Sequence, residues 1–472
     1  MRALLANPRV RIYLGGQLFT LFGDTMLFLA MGIWVKTLTG SSAAAGLTFF
    51  FLAAPALLAP LAGMVVDRVR RRPLLVAVNL ALAAAVLPLL LVHDADQLWL
   101  IYAVMLVYGA GNQVVASAQT ALLPALVADE HLGQANSLLS LIRQGLRLIA
   151  PLIGAGLFAA AGARVVILAD AATFLLAATG LVLIRVDEPA GEARTAGWWA
   201  TLGEGVQYIR ATPVLRQLVV AFTVGFAVIG LLETVAFAVA AALGRPPAFL
   251  GVLVSAQGVG AVAVGLTAPP AMRRLGEGRL AAAGLLTCAA AIGALVLPVT
   301  AVAVTAMAVL GGGITATVIG ANTLVQRRTP SRLLGRVDAA AEAAVTLPQT
   351  AFIGLGAALV AAVDYRVLLA GTAGLMLATG SWLFTRPAQR SLLQAGSNPT
   401  PADDQRPPPT AASAPGPASN GLTDRPLSQS PVRVGDSGPL PEHPPAGLPL
   451  ATVSQRPAPR RAPTERTSRV RR

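Results

Sequence analysis

The 472-residue chain contains one cysteine, Cys288, and one lysine, Lys36. A single thiol makes no intrachain disulfide and builds no thiolate metal cluster. Lys36 is not preceded by the glycine pattern of a phosphate-binding loop, so the sequence offers no ATPase motif of its own. His93, His131 and His443 lie too far apart to make a metal-spaced pair. No metal or cofactor is expected, and no enzymatic site is visible. Charge is scarce as well: Asp, Glu, Lys and Arg make up only 12% of the chain, against 55% hydrophobic residues. With a mean hydropathy of +0.67, this composition excludes an ordinary soluble domain.

What remains is a polytopic membrane protein. About 20 apolar residues are needed to cross a bilayer, and the region before Pro387 divides into twelve such runs. Each is read as a helix, because a backbone in lipid must satisfy its polar groups within its own segment. The expected fold is all-α, with twelve transmembrane helices in two six-helix bundles. Gly258-Val259-Gly260-Ala261-Val262-Ala263 has the spacing of a dinucleotide fingerprint. It sits inside an apolar run with no strand before it, so these residues are read as small groups packing membrane helices.

The formal net charge of +14 would suggest nucleic acid in a soluble chain. Here the arginines fall in short loops and in the C-terminal tail, so no nucleic-acid partner is expected. Arg68–Arg72, Arg273 with Arg274, and Arg327–Arg336 all belong to one side; the other side carries single charges such as Lys36, Arg164, Arg245 and Arg366. This asymmetry places both termini in the cytoplasm of a multi-pass protein of the cell membrane. A basic N-terminus leads into a long first run without a clear cleavage site, which reads as a retained span.

An internal repeat supports the division into halves. Gly63, Arg71 and Arg72 recur at one constant offset as Gly265, Arg273 and Arg274, and Gly133 recurs at the same offset as Gly335. A parallel repeat of this kind predicts two bundles with a substrate cavity between them near mid-bilayer. The expected domains are residues 1–185 and 214–386 as the bundles, with 186–213 as a cytoplasmic linker. The linker holds Trp198, Trp199 and Tyr208 beside Arg194, Glu204 and Arg210, the pattern of an amphipathic interfacial helix. Residues 387–472 turn to Pro, Ala, Ser and Arg and form a disordered tail.

Between two apolar runs lies Gly63-Met64-Val65-Val66-Asp67-Arg68-Val69-Arg70-Arg71-Arg72-Pro73. It resembles the signature loop of the major facilitator superfamily, in which Gly, Asp-Arg and a basic pair fall in this order; Arg70 stands where that family has Gly. The resemblance covers residues 1–386, and the chain looks most like exporters of the macrolide-efflux and enterobactin-export branch. Carrying that likeness are Gly23-Asp24, Gln119–Pro124 leading to Gly133–Ser137, Arg143-Gln144 before Pro151–Gly154, Asp170 before Thr173-Phe174, and Gln326–Pro330 leading to Gly335–Val337. Pro151, Gly154 and Gly156 are similar to the helix-bending motif of antiporters, where Pro opens a backbone hydrogen bond and small residues admit a neighbouring helix. The resemblance implies that Gly63, Asp67, Arg68, Arg71 and Arg72 form a cytoplasmic gating loop, with Asp67 latching onto the start of the eleventh helix.

Ionisable residues inside apolar runs are costly, about 2.5–3.5 kcal/mol each at a helix centre. Asp24, Glu233, Asp170, Arg147 and Arg143 are such residues and are the proton-coupling candidates. Asp24 and Arg147 fall near the middle of the first and fifth runs, which implies an ion pair or a water-filled cavity. Asp338 and Glu342, one turn apart, are read instead as part of the cytoplasmic gate. Few polar groups and several phenylalanines favour a large amphiphilic substrate over a sugar or amino acid. The expectation is a monomeric secondary carrier that exports such a molecule, a drug or macrolide-like compound, in exchange for protons. Its alternatives are export of a siderophore or other metabolite, an uptake permease, and a transport-inactive scaffold.

Overall fold

A computed structural model describes residues 6–184, 186 and 198–386, and every regular element among them is helical. The chain divides into two compact units, Met1–Pro401 and Ala402–Arg472. The second unit and the rest of the expected tail lie outside the described residues.

The first helix, α1, runs from Pro8 to Thr39. Asn7 caps it by accepting from the Arg9 N–H at 3.0 Å, and Pro8 begins the first turn, where its missing donor costs nothing. Gly40 ends it in the left-handed region (φ 68°), with its N–H returned to Lys36 O at 2.9 Å. The chain's one lysine also donates its ammonium to Gly40 O and, at 3.0 Å, to Ser42 Oγ, so it ties off the negative end of the helix.

Ser41 then caps α2 (Ser42–Ala53) by accepting from the Ala44 N–H. A 3-10 turn, Ala54–Leu58, carries Pro55 and joins α2 to α3 (Ala59–Arg68). Next come α4 (Arg71–Val86), α5 (Leu98–Leu126) and α6 (Asp129–Leu183). Two helices run together in α6, joined at Gly162, whose φ of 75° and ψ of −178° only glycine adopts readily.

Past the undescribed stretch lie α7 (Trp198–Ala211), α8 (Pro213–Ala242), α9 (Leu250–Leu275) and α10 (Glu277–Ala294). The series ends with α11 (Thr300–Arg328), α12 (Ser331–Ala362) and α13 (Tyr365–Thr385). Among the described residues nine helices are long and apolar enough to cross a membrane, one of them the segment broken at Gly162; Ser42–Leu58 is a shorter apolar helix.

Within the first stretch, α1 packs along α6, and α4 packs on α5 and α6; within the second, α10 and α9 pack on α11, and α12 on α8. The two stretches meet through α6 with α9, and through α2 with α8 and α12. Small residues make these approaches possible. A Cβ at Gly251 would lie 2.9 Å from Pro151 O, and one at Gly46 would lie 3.0 Å from Thr234 Cβ. Phe49 of α2 stacks between Phe28 of α1 (centroids 4.4 Å apart) and Phe237 of α8 (5.7 Å), adding an aromatic seam to the same junction.

The opposite helix ends are held differently. Arg72 donates to Leu181 O at 2.8 Å and to Val182 O at 2.7 Å, capping the last carbonyls of α6. Arg68 is exposed and Gly63 has open space around it, while the Asp67 side chain lies outside the described residues. The linker helix α7 packs on α12, where Glu204 pairs with Arg336. Tyr208, expected at an interface with lipid headgroups, uses its hydroxyl on the protein itself, donating to Arg328 O at 2.8 Å. The side chains of Trp198 and Trp199 lie outside the described residues.

Candidate functional site

Asp24 sits mid-way along α1 next to Gly23, and the absence of a side chain at Gly23 lets the second half of α6 close on it. A Cβ there would come within 2.6 Å of Asp170 Oδ1. The result is a cluster from three helices. Tyr108 of α5 donates its hydroxyl to Asp24 Oδ1 at 2.5 Å, and the same oxygen lies 3.3 Å from Asp170 Oδ1. Asn112, one turn along from Tyr108, lines the same cavity as Asp24. Thr173 donates to Asp170 O at 2.7 Å, and Phe174 packs edge-on against the Tyr108 ring. Asp170 is fully buried and its Oδ2 has no hydrogen-bond partner among the described residues.

Asp24 itself is half-buried because it faces a cavity of about 500 Å³. From one side the cavity is lined by Asp24, Tyr108 and Asn112; from the other by Glu233, Gln257 and Gln349. Next to it is a smaller, largely apolar hollow of about 160 Å³. The two share Phe28, Ile229, Glu233 and Gln257, and the hollow adds Phe49, Phe237 and Met307. A polar chamber with an aromatic annex can hold a molecule that has both a polar head and an apolar body.

The structure separates the candidate residues expected from sequence. Asp24 and Glu233 come together on one cavity, and Asp170 stands directly behind Asp24. Arg143 is exposed on α6, away from both hollows, and the Arg147 side chain lies outside the described residues. Pro151 is buried in α6 and lines the cavity, Gly154 packs against Met26, and Gly156 faces open space. Sequence reasoning missed Tyr108, Gln257 and Gln349. For Tyr108 a signal existed: it lies four residues before Asn112, on the same face of an otherwise apolar run.

A helical membrane protein with a polar chamber enclosed by helices from both parts of the chain has the architecture of a transporter. The chain belongs to the Major Facilitator Superfamily, whose family model matches residues 13–351. It is 26% identical over 303 residues to an uncharacterized MFS-type transporter, YfiS, of Bacillus subtilis (strain 168), spanning 61% of this chain and 71% of that protein. A bacterial homologue of the iron transporter ferroportin, solved in its inward-facing state, has a TM-score of 0.64 at 17% identity, covering 81% of this chain and all of that one. A variant of the nucleoside transporter NupG gives 0.65 at 13% identity, covering 80% and 99%. At such identities the likeness concerns the fold. The chain is a membrane transporter of the major facilitator type and acts on a small molecule.

Proposed function

We propose that the chain exports an amphiphilic small molecule from the cell by proton antiport, through alternating access of two six-helix bundles. In this reading the protein is a monomer with twelve spans in the cell membrane. Residues 1–185 and 214–386 form the bundles, 186–213 link them in the cytoplasm, and both termini, with the tail from 387 to 472, lie there too. The observation that carries the reading is the placement of Asp24 and Glu233 on one cavity, from helices on either side of the linker. Rocking of one bundle against the other changes the environment of both carboxyls in each cycle.

The chemistry of the proton step rests on Tyr108. A phenol has one proton to donate, and two carboxylates compete for it. A proton taken up by Asp24 or Asp170 lets both stay hydrogen-bonded and removes their mutual repulsion. Closure at the α2 end, through Gly46, Gly251 and the Phe49 stack, supports a chamber that communicates with the opposite, arginine-rich side.

An accumulation assay in intact cells tests this reading, with a panel of macrolides, dyes and siderophores and with or without an uncoupler. Expression of the chain is expected to lower accumulation of an amphiphilic compound, and the uncoupler to abolish the effect. Accumulation that rises with expression sinks the export reading.

A further inference from the structure

Tyr13, Gln17, Thr20 and Asp24 follow one another at turn spacing along one face of α1. The first three are buried and line no part of the central cavity. They face the seam between α1 and the second half of α6, where Gly16 lies against Ala177, and Gly23 against Asp170 and Thr173.

Toward the Pro8 end of this seam is a hollow of about 10 Å³, the free volume that the centre of one water molecule needs. Its walls carry Tyr13, Gln17 and Thr20 of α1, Asn79 of α4 and Gln119 of α5. Asn79 is 1% exposed; its Nδ2 donates to Leu75 O at 2.7 Å, while its Oδ1 has no hydrogen-bond partner among the described residues. Thr20 donates to Gly16 O at 3.1 Å and Tyr13 to Gln119 O at 3.3 Å, so each hydroxyl spends its proton on backbone and can still accept. A buried acceptor without a donor, in a polar hollow of this size, calls for water. From Gln17 to Asp24 the helix rises about two turns, roughly 10 Å, and Thr20 stands between them. Thr20 is one turn from Asp24, a spacing that one bridging water spans.

We infer that this seam is a hydrated proton path from the Asp24–Tyr108–Asp170 cluster to the Pro8 end of α1, separate from the chamber that holds the substrate. It deepens the antiport reading above and rests on it for the transported proton. A molecule seated against Asp24 fills the cavity through which that carboxyl meets water. With the seam as a second route, the proton leaves while the substrate is bound. The carboxyl O–H bond breaks as a bond to a water oxygen forms, that water passes on another of its own protons, and the last proton enters bulk water, leaving a carboxylate behind. The amide and hydroxyl groups hold the water and are unchanged. A hollow of one water's volume admits no organic molecule, so substrate does not follow the proton.

Infrared spectroscopy of the purified full chain in lipid films tests the path, with D2O as the probe. Ala261 lines the central cavity, and Ala261→Cys carrying a pyrene maleimide fills it; Cys288 is buried and does not compete for the reagent. In this filled protein the carboxylic C=O band that Asp24→Asn or Asp170→Asn removes is expected still to shift on transfer to D2O. Asn79→Leu and Gln17→Leu should each slow that shift about tenfold or more, whereas Asn79→Ser, which keeps an acceptor in the hollow, should stay within about twofold. Thermal unfolding identifies a variant that has lost its fold, and the filled protein alone needs none of the three. A band that stops exchanging once the cavity is filled overturns the inference, as does exchange at the unaltered rate in both leucine variants; either result leaves the antiport reading standing. If neither Asp24→Asn nor Asp170→Asn removes a carboxylic band at any pH, the cluster holds no transferable proton, and the antiport reading falls together with the path.

Discussion

Tyr108 donates its hydroxyl to Asp24 across 2.5 Å, joining residues 84 positions apart in the chain. That bond places one phenolic proton between two carboxyls from different helices. Removing it leaves Asp24 and Asp170 without their common donor, and a buried group left unsatisfied costs about 1–3 kcal/mol. Tyr108→Phe is expected to lower the stability of the purified protein by that amount and to slow substrate-driven proton flux about tenfold or more. Unchanged flux in vesicles of matched protein content would remove Tyr108 from the proton step.

Asp24→Asn keeps the polar shape of the site and abolishes its titration. Uphill export should be lost, and substrate binding or downhill exchange retained. The measurement is drug-induced proton flux in reconstituted vesicles, with Glu233→Gln run in parallel. Full proton-coupled flux in the Asp24 variant shows that the proton travels elsewhere, and the second variant decides whether Glu233 carries it.

Gly46 gives α2 and α8 their close approach, since a Cβ there would already crowd Thr234. Overpacking of this kind costs about 1–3 kcal/mol. Gly46→Leu should therefore shift the population toward the conformation in which this end is open. Distances between spin labels on Ser41 and Arg245 report the shift. Cys288, the native thiol, is buried and does not compete for label. A distance distribution identical to that of the parent would show that the junction is not the one that opens.

Membrane sidedness follows from the distribution of arginine and is tested by reporter fusions. A reporter after Arg386 should read cytoplasmic, and one inserted at Asp94 external. Two reporters on the same side would break the twelve-span map.

The tail, residues 387–472, has too little apolar surface to offset its ordering entropy. Truncation after Arg390 should leave transport within about twofold of the full chain. Loss of transport at unchanged membrane abundance would assign the tail a role.

Sequence alone determined the class of this protein. Long apolar runs in a chain with 12% charge require helices in lipid, because no other open structure satisfies the backbone there. The arginine-rich turns and the repeated Gly and Arg positions pointed to the family because their order along the chain is itself the signal and needs no knowledge of the packing. Asp24 and Glu233 were legible as well, since a charge within an apolar run stands out without any knowledge of its neighbours.

Tertiary structure decided which of these residues share a site. A helix surrounded by lipid on one side and apolar neighbours on the other has no sequence period that marks its cavity face. Tyr108 and Gln257 therefore looked like ordinary members of their runs, and Arg143 stood among the candidates with Asp24. Only the helix crossings, made possible by Gly23, Gly46 and Gly251, brought Tyr108 onto Asp24 and left Arg143 exposed. A formal charge of +14 describes the chain as a whole, whereas packing decides which carboxyls, Asp24 and Glu233 among them, reach the central cavity.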